Sequence, residues 1–156
     1  MKKSKSKIKS KIKSKIKSKS KIKSKTIAIE ETGVKKMLIV EDDILSQKIM
    51  RRIFKNDFEI DECESAEEFH EKYSNKNYHI IIVDISLKGS KHGLDLIKEI
   101  KALSLYTNTP IICLTAHAQT KMRKTAVESG ADLFITKPVS NKALREAVAS
   151  LIKLDS

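Results

Sequence analysis

The sequence predicts an α/β fold, a five-stranded parallel sheet with helices on both faces. Three observations carry this expectation. Short apolar, β-branched runs recur along residues 36–136, as in "KMLIV" (36–40) and "IIIV" (80–83). Segments with helical spacing alternate strictly with them, which is the pattern of a parallel sheet with covering helices. Acids, a hydroxyl and a lysine stand just past the strand ends, where such folds gather their functional groups.

The elements follow in order. "KMLIV" (36–40) is a short apolar strand followed by Glu41, Asp42 and Asp43. "ILSQKIMRRIF" (44–54) places Ile44, Leu45, Lys48, Ile49, Arg52 and Ile53 at helical spacing, with the apolar members on one face. "FEIDEC" (58–63) alternates as a half-exposed edge strand does. "SAEE" (65–68) is a capping box that opens a helix running to about Tyr73. "HIIIVD" (79–84) is the third strand, a run expected to be buried on both faces. "HGLDLIKEIKAL" (92–103) is a helix entered through Gly93. In "PIICLT" (110–115) Pro110 takes the first strand position, where its missing N–H is tolerated. "TKMRKTAVESG" (120–130) is a helix stopped by Gly130. "LFIT" (133–136) is the fifth strand. "SNKALREAVASLIKL" (140–154) is a final amphipathic helix with Ser140 as N-cap.

Charge divides the chain in two. The net charge is +12, and residues 1–33 carry +11 of it in 13 lysines and two acids. Residues 34–156 are nearly neutral at +1. From Lys3 to Lys25 every odd position is Lys, and the even positions are Ser or Ile. As a strand this repeat sets all lysines on one face; as a helix it leaves only a thin Ile stripe. Neither buries enough to offset ordering entropy, so disorder is expected. Two further readings stay open for it: a tether to nucleic acid or an anionic membrane, and a start upstream of the true initiation near Val34 or Met37. The expected division is therefore a basic segment, 1–33, and a globular domain, 34–156.

Several classes are excluded. No apolar run reaches the roughly 18 residues of a membrane span. The basic segment lacks the apolar core of a secretory signal. Cys63 and Cys113 form no CxxC or Cys/His cluster, so neither zinc nor an oxidising compartment is indicated, and the expected location is the cytoplasm. His70, His79 and His92 have no metal-like spacing and read as surface or strand-end residues. Arg51 and Arg52 read as a solvated helix face.

The strand ends define the expected site: Glu41, Asp42 and Asp43 after the first, Asp84 ending the third, Thr115 the fourth, Lys137 after the fifth. Two carboxylates about 4–5 Å apart repel by roughly 3–4 kcal/mol at an effective dielectric of about 20. Such crowding raises pKa values unless a cation intervenes. All ligands on offer are oxygens, which favours a hard ion, Mg2+ with Mn2+ as the alternative. An acid, a metal, a lysine and a hydroxyl together suit phosphoryl transfer to a carboxylate.

In "LIVEDD" (38–43), "IIIVDISL" (80–87), "LTAHA" (114–118) and "ITKPVS" (135–140) the chain resembles the receiver domains of two-component response regulators. The resemblance covers residues 35–154 and implies a doubly wound, flavodoxin-like sheet of order 2-1-3-4-5. It implies that Asp84 is the phosphoacceptor, that Asp42 binds Mg2+ directly and Glu41 mainly through water, and that Asp84 and the Ser86 carbonyl are further ligands. Lys137 would pair with phosphoryl oxygens. Thr115 and Phe134 would form the switch, and Ser86 and His117 would tune dephosphorylation. Asp43 reads as a helix-start residue outside the ligand set. Lys88 stands where many members have Pro, the loop before Gly93 is one residue longer than the commonest form, and Phe134 replaces the common Tyr.

The implied function is a single-domain regulator with no separate enzymatic output. A sensor histidine kinase or histidine phosphotransfer protein would supply the phosphoryl group. The output would be a downstream protein docking on the surface of the fourth helix, fifth strand and fifth helix, or onward transfer in a phosphorelay. The alternative is a nucleic-acid or membrane binding protein led by its basic segment. A nucleotide or flavin binder needs a Gly- or hydroxyl-rich phosphate cradle at the first turn, and "EDDILS" repels bare phosphate. A haloacid-type phosphatase needs a second Asp where Ser86 stands.

Overall fold

The computed structural model describes residues 33–87, 89, 91–116 and 120–154. The expectations for residues 1–32, Lys88 and His117 lie outside the described residues. Five strands, β1 (Lys35–Val40), β2 (Phe58–Cys63), β3 (Ile80–Asp84), β4 (Ile111–Thr115) and β5 (Leu133–Thr136), form one parallel sheet in the order β2-β1-β3-β4-β5. The register pairs Val40 with Val83, Asp84 with Leu114, and Thr115 with Thr136. The carboxyl ends of β1, β3, β4 and β5 therefore meet along one edge, and this is the doubly wound order expected.

Period-two alternation divides the strand residues between two cores. Met37, Ile39, Ile80, Ile82, Ile112 and Leu114 face α1 (Ile44–Phe54) and α5 (Asn141–Leu151). Leu38, Val40, Ile81, Val83, Ile111 and Cys113 face the other side. There they meet α2, which begins at Ala66–Glu68 and continues as a π-helical turn Phe69–Tyr73, then α3 (Gly93–Ala102) and α4 (Thr120–Ser129). Ile80 to Val83 are fully buried, and each such side chain contributes about 1.5–3 kcal/mol. The edge strand β2 alternates as predicted: Phe58 and Ile60 are buried and Glu59 is exposed.

Helix ends follow their caps. Asp43 caps α1 and accepts from Ser46 N at 2.9 Å. Ser65 caps α2 and accepts from Glu68 N at 3.1 Å. The returning Glu68 carboxylate meets Glu64 N, one residue before the cap. Ser140 caps α5 and accepts from Ala143 N. Gly130 ends α4 with φ of 110°, a left-handed conformation that suits glycine.

Three local features differ from or add to the expectations. On α1 the apolar residues lie mostly outward: Ile44 is 56%, Leu45 65% and Ile49 47% exposed, while Ile53 is partly buried against the core. The packed side carries Gln47, Met50 and Phe54. The π-helical turn in α2 was not anticipated. The hydroxyl of buried Tyr106 lies within hydrogen-bond reach of the carbonyls of Tyr73, at 2.8 Å, and Lys76, and its one proton is shared between them at that end of the helix. Finally, α5 stops at Leu151. Ile152 is extended, and it and Leu154 pack on the sheet as extended chain instead of as a further turn.

Candidate functional site

Chain direction brings the site residues to one place. β1 leaves the sheet at Glu41, whose N–H still donates to Cys63 O of β2 at 2.9 Å. β3 delivers Asp84 beside it. Past β5, Lys137 donates its backbone N–H to Thr115 O at 2.7 Å, tying that loop to the end of β4. The Lys137–Pro138 peptide bond is cis.

The Lys137 ammonium lies between two acids. It donates to Glu41 Oε2 at 2.9 Å and to Asp84 Oδ2 in a shorter contact. The other Asp84 oxygen accepts from Ser86 N at 2.7 Å. The second Glu41 oxygen accepts from Asp43 N at 3.1 Å. Glu41 is 2% and Asp84 4% exposed. Asp84 thus stands at the strand exit as expected, but deeper than the mouth of an open site.

Burial of this kind shifts Glu41. Glu41 is pushed up to about 7 by burial first and by its hydrogen bond to Asp84 second, with Lys137 opposing. Burial alone would lower Lys137, but its bonds to Asp84 and Glu41 outweigh that and hold the ammonium above its ordinary value. The pair of acids is therefore short of positive charge even with Lys137 present.

That shortage is the test of whether a cation fits. Among the described residues no three acidic, histidine or cysteine side chains gather into a ready metal cage. Mg2+ needs none, because it keeps several waters and takes one or two carboxylates. Two buried carboxylates sharing one ammonium, with half-buried Asp42 next along the chain, fit such a hard ion. They do not fit zinc, for Cys63 and Cys113 are buried thiols held up to about 12 by burial.

The other predicted residues fall as follows. Thr115 is fully buried at the end of β4. Phe134 is half-buried on β5, with the Arg123 guanidinium 5.6 Å from its ring centre. Asp43 is the exposed α1 cap, held below the usual carboxylate range by the Ser46 hydroxyl and N–H. His70 pairs with Glu99 at 2.7 Å, His79 accepts from Lys36 N at 2.9 Å, and His92 caps α3. Arg51 pairs with Glu62 at 2.9 Å.

One supporting residue was missed from the sequence, and another, Gly93, was read only as the entry of its helix. Gly93 N donates to Ile85 O at 3.0 Å, and a Cβ there would lie 2.3 Å from Asp84 O, so only glycine lets α3 start against this strand end. Gln47 is 7% exposed and donates its side-chain amide to Glu41 O. A polar residue in line with Met50 and Phe54 (i, i+3, i+7) was the available signal.

Comparison with known proteins fits this geometry. The chain is 30% identical over 119 residues to the chemotaxis protein CheY of Halobacterium salinarum, covering 76% of this chain and 97% of that protein. It is 28% identical to the regulatory protein VanRB of Enterococcus faecalis, over 78% of this chain and 53% of that one. It thus spans about half the length of VanRB and 51% of ResD of Bacillus subtilis. Among solved structures, a CheY-like receiver domain from Methanospirillum hungatei matches with a TM-score of 0.69 and 25% identity, over 76% of this chain and 93% of that one. CheY4 of Vibrio cholerae matches with a TM-score of 0.72 at 21% identity, over 77% of this chain and all of that one, a likeness of fold. The receiver domain of the sensor histidine kinase PA1611 of Pseudomonas aeruginosa, a structure with magnesium in its active-site cleft, matches with a TM-score of 0.69 at 21% identity, over 76% and 98%. The model of the response regulator receiver domain matches residues 37–149, and with that sheet order and strand-end site the chain belongs to the receiver domain family.

Proposed function

We propose that residues 34–156 accept a phosphoryl group on Asp84 from a phosphohistidine of a kinase or phosphotransfer protein. The observation that carries this reading is the buried Glu41–Lys137–Asp84 cluster at the carboxyl edge of the sheet. An Asp84 oxygen attacks phosphorus, the P–N bond breaks, and the imidazole nitrogen leaves with the electron pair. The product is an acyl phosphate. Lys137, freed from Asp84 Oδ2, keeps its charge for the phosphoryl oxygens. Mg2+, held by Glu41, Asp42, Asp84 and the Ser86 carbonyl, would supply charge neutralisation for the same oxygens. Thr115 and Phe134 are the residues proposed to report the modified state to a partner at α4, β5 and α5, and Ser86 and His117 to set its lifetime.

The exposed residues of α1 support a docking face for the donor. Ile44, Leu45 and Ile49 stand beside Lys48 and Arg52, and Ile49 also lines a groove of about 470 Å3 that reaches Lys137, Pro138 and Val139. An apolar surface that opens next to the reacting group and is rimmed by cations suits a helix with an apolar stripe and acidic flanks. Onward transfer in a relay would use the same face. The test of the chemistry is intact mass after incubation with acetyl phosphate and Mg2+. One phosphoryl group is expected on the wild type, and none on Asp84→Asn or without Mg2+. A phosphoryl group that persists in Asp84→Asn overturns the assignment.

A further inference from the structure

The acidic turn Glu41–Asp43 is closed at both ends by one residue. Gln47 donates its backbone N–H to Asp43 O at 3.0 Å and its side-chain amide to Glu41 O. It does so from the packed side of α1, 7% exposed, on the face that carries Met50 and Phe54. The first of these bonds is the opening bond of any helix. The second is specific to an amide of this length at this position.

Glu41 shows what the second bond accomplishes. Its N–H is spent on Cys63 O, one carboxylate oxygen on Asp43 N and the other on Lys137. Its carbonyl lies one residue past β1, beyond the ladder that would satisfy it. The Gln47 amide supplies the donor. All the hydrogen-bonding groups of Glu41 are then engaged, and the peptide plane between Glu41 and Asp42 is fixed by a group outside the turn. A residue that fixes this plane fixes where both side chains leave the backbone.

We infer that Gln47 is a positioning residue for the divalent cation, holding the acidic turn in the shape that receives it. This rests on the phosphoacceptor reading above. A purely structural role makes a different prediction. An unsatisfied buried carbonyl lowers stability, yet leaves the metal affinity of the folded protein where it was.

The test uses the full chain with Gln47→Leu and Gln47→Met, which remove the donor and keep much of the volume. Mg2+ affinity is read by NMR titration with MgCl2 at constant ionic strength, at a temperature where circular dichroism shows each protein folded. Both variants are expected to bind Mg2+ at least about ten-fold more weakly, the loss typical when an outer-shell partner of a metal ligand is removed. Amide exchange at Asp42 and Asp43 quickens without metal. If the folded variants lose less than about ten-fold in Mg2+ affinity relative to wild type, the inference is overturned, whatever happens to their melting temperature. If the wild type itself binds no Mg2+, the phosphoacceptor reading falls and this inference falls with it.

Discussion

Lys137 holds acids that lie 96 and 53 residues before it in the chain. Asp84 was legible as a functional acid because it ends a strand of buried β-branched residues, where a carboxylate is costly without a partner. Its partner was legible only as a type, a lysine at another strand end. The bond from Lys137 to Glu41, the depth of both acids and the amide of Gln47 depend on how the strands meet, which no local pattern encodes. Their burial has a consequence in solution. In the metal-free folded protein Glu41 holds its proton up to about 7, against an ordinary value of 4.5. Between these values the folded state binds more protons than the unfolded one. Stability without metal therefore falls as pH rises from about 4.5 to 7. Mg2+ competes with that proton, so it stabilises more at pH 8 than at pH 5. Urea melts at pH 5, 6, 7 and 8, with and without MgCl2, check both slopes. A flat metal-free profile would mean that Glu41 titrates normally.

Element boundaries were read well where the cause is local and poorly where it is not. Caps at Asp43, Ser65 and Ser140 and the stop at Gly130 appear in the sequence because each acts within a few residues. The end of the π-helical turn Phe69–Tyr73 is met by the hydroxyl of Tyr106, 33 residues beyond Tyr73. The apolar pattern of α1 does not set its orientation. Ile44, Leu45 and Ile49 are exposed, and the buried side carries Met50 and Phe54 together with a glutamine, Gln47. Substituting Ile49→Lys or Leu45→Lys should therefore change stability by no more than about 0.5 kcal/mol, as exposed positions do. Phosphorylation by acetyl phosphate should be unchanged, while transfer from a protein donor slows. Chemical melts and the two phosphorylation assays separate these effects, and equal loss in both assays would remove α1 from docking. Gly93→Ala makes the opposite case. The added Cβ has no space against Asp84 O and Ile85 Cα. The start of α3 must shift, at a cost of about 1–3 kcal/mol, and Asp84 shifts with it, so both melting temperature and phosphorylation rate should drop.

At the scale of the whole molecule, charge and fold separate along the chain. The family match spans residues 37–149, and the described strands and helices run from Lys35 to Leu151. Nearly all the net charge lies before them, +11 of +12 within residues 1–33. If the division is as proposed, the basic segment contributes to long-range attraction and not to the fold. A chain lacking residues 1–33 should then melt within about 2 °C of the full chain, since every described core residue is kept, and should take a phosphoryl group from acetyl phosphate at the same rate. What should change is the affinity for polyanions. Lysines neutralising phosphates release counterions, so binding by the full chain to a random-sequence DNA duplex should weaken steeply with added salt. The truncated chain, at +1, should bind weakly at every salt concentration. Fluorescence anisotropy across a KCl series measures both proteins in one experiment. A truncated chain that unfolds at a much lower temperature would place residues 1–33 inside the folded unit, and equal DNA binding by the two chains would move the basic site onto the receiver itself.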